Sequence, residues 1–169
     1  TRDLETAESA VQAGQTGHRV LSTRHTNTAV GAITRLRDMG VEPYQLSESL
    51  IGLMAQRLVR TLCPACKTPY EASIVEKEQL AVAPDLPLTL YKPDGCPQCR
   101  PTGFSGRSGI HELSGLARTP ETMIHDEASE QKLETYARTR NAGILDSGRA
   151  KVIAGQTTLK EVLRVTIQA

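Results

Sequence analysis

The chain has 169 residues, with 20 basic and 19 acidic side chains and a formal net charge of +1. That balance excludes a strongly basic nucleic-acid binder and an acidic disordered tail. Hydrophobic residues make up 38% of the chain and aromatic residues only 3%, so the sequence predicts an aliphatic core. Since no apolar run approaches the roughly 20 residues that cross a bilayer, and no signal peptide opens the chain, we expect a soluble cytosolic protein or a piece of one.

The first sixty residues predict helices around a single strand. Apolar spacings of three and four predict a helix over residues 3–13 with Asp3 as its cap. The β-prone run 19–23 predicts a short buried strand. Further helices are predicted over 28–39, with Gly40 as its stop, and over 44–59. Because one strand cannot form a sheet, we expect partner strands upstream, in a longer protein.

The character of the sequence changes between residues 62 and 107. Seven prolines and all four cysteines lie here, and hydrophobic periodicity weakens, which predicts a small loop-rich unit. The run 109–113 predicts a strand that returns to the main body. Helices are then predicted after Thr119-Pro120, over 129–141, over 144–154 and after a capping box at Thr158–Glu161.

The four cysteines form two C-x-x-C pairs, Cys63/Cys66 and Cys96/Cys99. Two such pairs complete the tetrahedral sulfur set that structural Zn²⁺ prefers, with an iron–sulfur cluster as the lesser option. Two disulfides or four unrelated buried thiols are the alternatives, but nothing in the sequence suggests an oxidising compartment. Four cysteine ligands leave no open coordination position, so the sequence predicts a structural metal. Three lysines and five acids between the knuckles disfavour nucleic acid as a partner.

A polar segment follows the predicted strand 19–23. Thr23, His25, Thr26 and Asn27 would lie at its carboxyl end, where open α/β sheets place their ligands. Histidine and threonine side chains there can hydrogen-bond a phosphate or orient a water. The alternative is a polar loop that caps the next helix.

Five motifs in this order resemble the secretion ATPases, and more narrowly the C-terminal part of the type II secretion ATPases. They are Thr1–Ala7, Thr16–Asn27, Gln56–Arg60, the four cysteines and Gly106–Glu112. The paired knuckles argue against the pilus retraction ATPases, which lack them. The type IV pilus assembly (extension) ATPases share a similar tetracysteine and remain an alternative, as does a freestanding zinc-stabilised interaction module.

The resemblance implies the fold class: α/β, the C-terminal part of a RecA-like ATPase domain with a tetracysteine zinc-binding subdomain and a C-terminal helical subdomain. The expected division is 1–61 for the ATPase core, 62–107 for the zinc subdomain, and 108–169 for the return strand and helices. It also implies a homo-hexamer on the cytoplasmic face of the inner membrane. There it would bind secretion platform proteins, and ATP turnover would drive pseudopilus assembly and protein export.

The resemblance also assigns roles to residues. Residues 16–27 match the histidine box that faces the nucleotide phosphates, with His25 and His18 at matching positions. Arg2 matches the arginine just after the Walker B glutamate. Two positions depart from the family pattern, since Arg24 replaces an apolar residue and Thr28 an aspartate. No G-x-x-x-x-G-K-[ST] motif occurs in the 169 residues, so the P-loop that binds ATP and Mg²⁺ is expected before Thr1, and the chain alone is expected to be inactive.

Overall fold

The structure is a computed structural model that describes residues 3–24, 26, 28–115 and 121–166. It contains two compact units, one made of residues 1–55 and 112–142 and the other of 56–111 and 143–169. The predicted zinc segment 62–107 lies wholly in the second unit. The functional division at residues 61 and 107 stays a prediction.

Along the described chain, three helices come first, four strands with one helix and a 3₁₀ turn among them follow, and four helices come last. In order they are α1 Leu4–Gln15, α2 Gly31–Asp38, α3 Pro43–Ser49, β1 Gly52–Leu62, β2 Thr68–Glu71, α4 Ile74–Gln79, β3 Thr89–Lys92, a 3₁₀ turn Pro97–Cys99, β4 Phe104–Gly115, α5 Glu121–His125, α6 Glu130–Arg138, α7 Ile144–Ile153 and α8 Leu159–Thr166. Strands β1 and β4 pair in one two-stranded sheet, and β2 and β3 in another. Among the described residues, no helix has both the length and the apolar character to span a bilayer.

Helices α1, α2, α3, α5 and α6 form the first unit. Helix α1 begins where predicted, because the Asp3 carboxylate accepts hydrogen bonds from the Thr6 N–H at 2.9 Å and the Thr6 hydroxyl at 2.7 Å. Helix α3 packs against both α1 and α5. Burial of aliphatic side chains from these helices stabilises the unit. Its fully buried or nearly buried side chains include Ala7, Val11, Ile33, Leu46, Ile124 and Leu133.

The second helix starts later than predicted and ends where predicted. The Thr28 hydroxyl accepts from the Gly31 N–H at 3.1 Å, so it satisfies one of the free donors at the start of α2. The same hydroxyl donates to Glu130 at 3.2 Å, at the first residue of α6. Gly40 follows the helix with φ of +98°, a left-handed conformation that favours glycine.

The predicted buried strand at residues 19–23 is wrong. The segment has no strand assignment, and the Leu21 residue is 99% exposed. A β-strand needs a neighbour to accept and donate its ladder hydrogen bonds, and the described residues place no strand beside this one.

The predicted helix over 44–59 is also wrong beyond residue 49. Helix α3 stops at Ser49, and residues 52–62 form β1 instead. Buried positions in β1 alternate at Leu53 and Ala55, while Met54 between them is 64% exposed. This is the two-residue period of a strand with one buried face, which the helical interpretation had missed.

The core of the second unit contains side chains from the cysteine segment and from the elements before and after it in the sequence. Strands β2 and β3 are antiparallel, with Tyr70 opposite Leu90, and α4 connects them behind a Ser73–Glu76 capping box. The segment predicted as loop-rich therefore has its own secondary structure. Its buried side chains join those of β1, β4, α7 and α8 in one cluster: Val59, Ala72, Leu80, Leu90, Ile110, Val152, Leu159 and Val162.

Helices α7 and α8 pack directly against each other in this unit. Gly148 of α7 allows the close approach, since a Cβ added there would overlap Val162 Cγ1 and lie 3.2 Å from Cγ2. Thr158 caps α8 as predicted, accepting from the Glu161 N–H at 3.3 Å. The Glu161 carboxylate turns away from the cap to Arg60 and Arg164, so only half of the predicted capping box forms.

Candidate metal centre

The first C-x-x-C knuckle lies in the turn directly after β1. The N–H groups of Cys66 and Lys67 both donate to the Cys63 carbonyl, at 3.3 and 3.0 Å, and this folds the two thiols to one side. The Leu62 N–H donates to the Gln156 carbonyl at 2.8 Å. The base of the knuckle is therefore tied to the α7–α8 connection.

The second knuckle is the 3₁₀ turn at Pro97–Cys99. The Cys99 N–H donates to the Cys96 carbonyl at 3.1 Å. Arg100 follows in the left-handed region with φ of 52° and ψ of 59°, which reverses the chain. The Cys63 N–H donates to the Gly103 carbonyl at 3.0 Å and joins the two knuckles through the backbone.

The four cysteine sulfurs lie close enough together to hold one metal ion between them. All four cysteines are free, and their Sγ atoms lie within 4.8 Å of one another. The Sγ–Sγ distances are 3.9 Å for Cys63–Cys96 and 3.8 Å for both Cys66–Cys99 and Cys96–Cys99. A tetrahedron with metal–sulfur bonds of about 2.3 Å has edges of about 3.8 Å, so the cluster fits a zinc ion at its centre.

Burial raises the pKa of the Cys66 and Cys99 thiols, whereas hydrogen bonds from backbone N–H groups lower it. Burial raises the pKa of the Cys66 thiol to about 12. Burial opposes ionisation of Cys99 as well, but N–H groups of Cys96 and Gly103 that donate to its Sγ, at 3.1 and 3.2 Å, outweigh it and lower its pKa to about 7. A divalent metal would supply positive charge that favours the thiolate form of all four cysteines.

Lys67 connects the first knuckle to the helices rather than to the sulfurs. Its ammonium donates to the Gly155 carbonyl at 2.9 Å and lies 4.4 Å from the centre of the Tyr91 ring. Gly155, with φ of +65°, ends α7, and a Cβ there would lie 2.6 Å from the Tyr91 ring. The lysine thus contacts both β3 and the α7–α8 turn.

The structure describes only some of the residues that the sequence predicts near the nucleotide phosphates. Arg2, His25 and Asn27 lie outside the described residues. His18 and Thr23 are exposed, and the His18 Nδ1 is 3.1 Å from the Thr16 hydroxyl. Thr26 is half-buried and donates to the Thr28 carbonyl at 2.9 Å. The structure does not test the predicted roles of these residues.

Sequence reasoning predicted the cluster of four cysteines but missed the residues that arrange it. Lys67, Gly95 and Gly103 were not singled out. A signal was present, because the triplets Pro93-Asp94-Gly95 and Pro101-Thr102-Gly103 flank the second knuckle with the same Pro-x-Gly pattern. Such triplets favour tight turns.

Comparison with known proteins extends over nearly the whole chain. The profile of a family described as "Type II/IV secretion system protein" matches residues 1–164. A "Type II secretion system protein E" of Pseudomonas aeruginosa is 56% identical over 98% of this chain. A "Type II secretion system ATPase E" of Vibrio cholerae is 54% identical over 98% of it. Each alignment covers 33% of the relative, so the chain spans about a third of the length of these proteins.

A solved structure shares the fold at lower sequence identity. It is the crystal structure of the pilus retraction motor PilT with bound ADP, which aligns with a TM-score of 0.63 and 22% identity. The alignment covers 98% of this chain and 37% of that one. The alignment shows a shared fold and confirms the predicted α/β class, and the described residues of this chain also contain the tetracysteine cluster.

Proposed function

The chain belongs to the type II/IV secretion system protein family, and from that membership we propose that it is part of an ATPase that powers type II protein secretion. The observation that carries the proposal is the 54% identity to a protein named "Type II secretion system ATPase E" over 98% of this chain. A type IV pilus assembly ATPase is the alternative. The names of the similar proteins favour secretion.

In this proposal the four cysteines hold a structural zinc ion. Four sulfurs within 4.8 Å of one another, with three of the pairs 3.8–3.9 Å apart, match a tetrahedral site and leave no position for a substrate or water. Zinc would supply the positive charge that keeps the thiolates together. Cys63, Cys66, Cys96 and Cys99 would fix two turns that the backbone already brings into contact. The metal then supports the fold of the second unit and takes no part in ATP hydrolysis.

The nucleotide chemistry is assigned to the longer protein of which this chain is a part. His25, His18 and Arg2 would act near the phosphates of ATP and Mg²⁺, and Thr23, Thr26 and Asn27 would contribute hydrogen bonds there. Phosphoryl transfer needs the backbone amides and lysine of a P-loop, and these 169 residues contain no such motif. We therefore expect the chain alone to release no phosphate from ATP.

We further propose that the longer protein works as a homo-hexamer. It would act in the cytoplasm at the inner membrane, bind secretion platform proteins there, and drive pseudopilus assembly. The resemblance of the sequence motifs to the type II secretion ATPases carries these expectations.

The test compares His25→Ala with His125→Ala in the full-length protein. His125 is an exposed histidine outside the proposed nucleotide site. We expect His25→Ala to lower ATP turnover by about 10²–10⁴-fold, with thermal stability and zinc content unchanged, and His125→Ala to retain turnover. Secretion of a reporter protein should fall with turnover. Near-normal turnover of His25→Ala would reassign this histidine to the cap of α2. A full-length protein without ATPase activity would refute the proposed enzyme.

A further inference from the structure

The two Pro-x-Gly triplets, residues 93–95 and 101–103, flank the second knuckle and pack against each other. A Cβ added at Gly103 would overlap Pro93 Cβ and lie 2.9 Å from Pro93 Cα. A Cβ added at Gly95 would lie 2.8 Å from the Pro101 carbonyl oxygen. Each glycine therefore packs against the proline of the other triplet, and the two chain segments cross more closely than any side chain allows.

Both glycines have backbone angles that side chains rarely adopt. Gly95 has φ of +105° and Gly103 has φ of +73°. Steric requirements and backbone angle thus select glycine independently at both positions.

Gly103 is also hydrogen-bonded to both knuckles. The Gly103 N–H donates to Cys99 Sγ at 3.2 Å, and its carbonyl accepts from the Cys63 N–H at 3.0 Å. Gly103 therefore contacts both knuckles through its peptide groups, and Gly95 directly precedes Cys96 of the second knuckle.

We propose that Gly95 and Gly103 are positioning residues for the metal centre. They form a glycine clasp, defined as Gly95 and Gly103 packed against Pro101 and Pro93, that sets the spacing between the knuckles. The Gly103 N–H also donates to Cys99 Sγ, and such a hydrogen bond to a metal ligand stabilises its negative charge. This inference rests on the proposed zinc site and adds the residues that determine its affinity.

The chain offers a matched control in Gly106. It too has a left-handed backbone, with φ of +80°, but a Cβ added there would meet nothing within 4 Å. Gly106→Ala therefore carries the same kind of backbone strain as Gly103→Ala without the overlap, and none of the sulfur hydrogen bonds involves Gly106. A difference between the two variants reports on the clasp alone.

The experiment measures metal binding by Gly103→Ala, Gly95→Ala, Gly106→Ala and the unmodified chain. Zinc affinity is determined by competition with a chromophoric chelator at fixed pH, and Co²⁺ replaces zinc to report thiolate geometry through its visible absorption. We expect Gly103→Ala and Gly95→Ala to bind zinc about 10–100-fold more weakly and to change the Co²⁺ thiolate charge-transfer bands. Gly106→Ala should match the unmodified chain in both measurements.

Hydrogen exchange of α6 and α8 with zinc in excess checks that each variant folds. If the unmodified chain binds no zinc, the proposed metal site itself fails. If it binds zinc and Gly103→Ala binds as tightly as Gly106→Ala with an unchanged Co²⁺ spectrum, the clasp is refuted. If both clasp variants fail to fold in excess zinc while Gly106→Ala folds, the glycines serve the fold and not the metal, which also overturns the proposal.

Discussion

Replacing Glu161 by glutamine should destabilise the second unit in a pH-dependent way. The carboxylate has only 3% of its side-chain surface exposed. It accepts from the Arg60 guanidinium at 2.6 Å, from the Arg60 N–H at 3.3 Å and from Arg164 at 3.1 Å. Arg60 also lies 4.1 Å above the Phe104 ring. This network joins α8 to β1 at the edge of the core.

The pKa of Glu161 gives the size of the effect. Hydrogen bonds from Arg60, against the opposing effect of burial and with help from Arg164, lower its pKa from 4.5 to about 2. A pKa change of that size corresponds to about 3 kcal/mol. Both arginines are half exposed, so solvent screening reduces the contribution to about 1–2 kcal/mol.

The sign follows from the lowered pKa. Because the folded chain holds the carboxylate ionised to lower pH than the unfolded chain, the stabilisation is full above about pH 4.5 and disappears as pH falls through about 2. The assay is the free energy of opening of α8, from hydrogen exchange and from denaturant unfolding, for Glu161→Gln between pH 7 and pH 2.5. The control is Glu134→Gln, which removes a half-exposed pair with Arg138 four residues away.

We expect Glu161→Gln to lose about 1–2 kcal/mol at pH 7 and less at each step below pH 4.5. Glu134→Gln should lose about 0.5 kcal/mol or less. A loss at pH 7 no larger than that of the control would refute the assigned role of this carboxylate. A loss that stays constant down to pH 2.5 would refute its titration.

Three further outcomes follow from the second unit. Gly148→Ala should lower the free energy of unfolding by about 1–3 kcal/mol in chemical denaturation, because the added methyl group overlaps Val162. This loss is expected although alanine favours helices, and Val162→Ala in the same chain should recover part of it. A Gly148→Ala variant that is more stable than the unmodified chain would contradict the close packing of α7 and α8. Lys67→Met should lower the stability around Gly155 by about 1–2 kcal/mol, which would be measured as faster hydrogen exchange there. Unchanged exchange around Gly155 would contradict the role given to Lys67. Chelation of zinc should speed exchange in α7 and α8 as well as between the knuckles, since all share one core; a response confined to residues 67–95 would indicate that the knuckles fold independently.

Local signals in the sequence predicted local structure well. The Asp3 cap, the stop at Gly40 and helix α7 need only nearby residues, and all three are confirmed. The four cysteines were found for the same reason, because two short turns carry the ligands. Their proximity is confirmed, while the bound metal remains a proposal.

Signals that depend on distant partners misled the prediction. The run 19–23 has the composition of a buried strand, but burial requires a neighbouring sheet that composition does not reveal. In residues 52–62 the apolar side chains satisfy both a helical and an alternating pattern, and only the environment of Met54 decides between them.

The prediction of a small loop-rich unit for the cysteine segment was also incomplete. The segment supplies Ala72, Leu80 and Leu90 to a cluster completed by the C-terminal helices. Because those partners lie far from the cysteine segment in the sequence, the pattern of apolar residues within the segment did not indicate the shared core. A metal ion bound by the four cysteines would therefore stabilise a larger unit than the sequence alone suggested.

The most direct test of the metal centre is zinc analysis and zinc-edge X-ray absorption on the purified full-length protein. We expect one zinc ion per chain, surrounded by four sulfurs at about 2.3 Å, and complete loss of that signal in Cys96→Ser/Cys99→Ser. A protein with four reactive thiols and no zinc, or a metal shell containing oxygen or nitrogen ligands, would contradict the account.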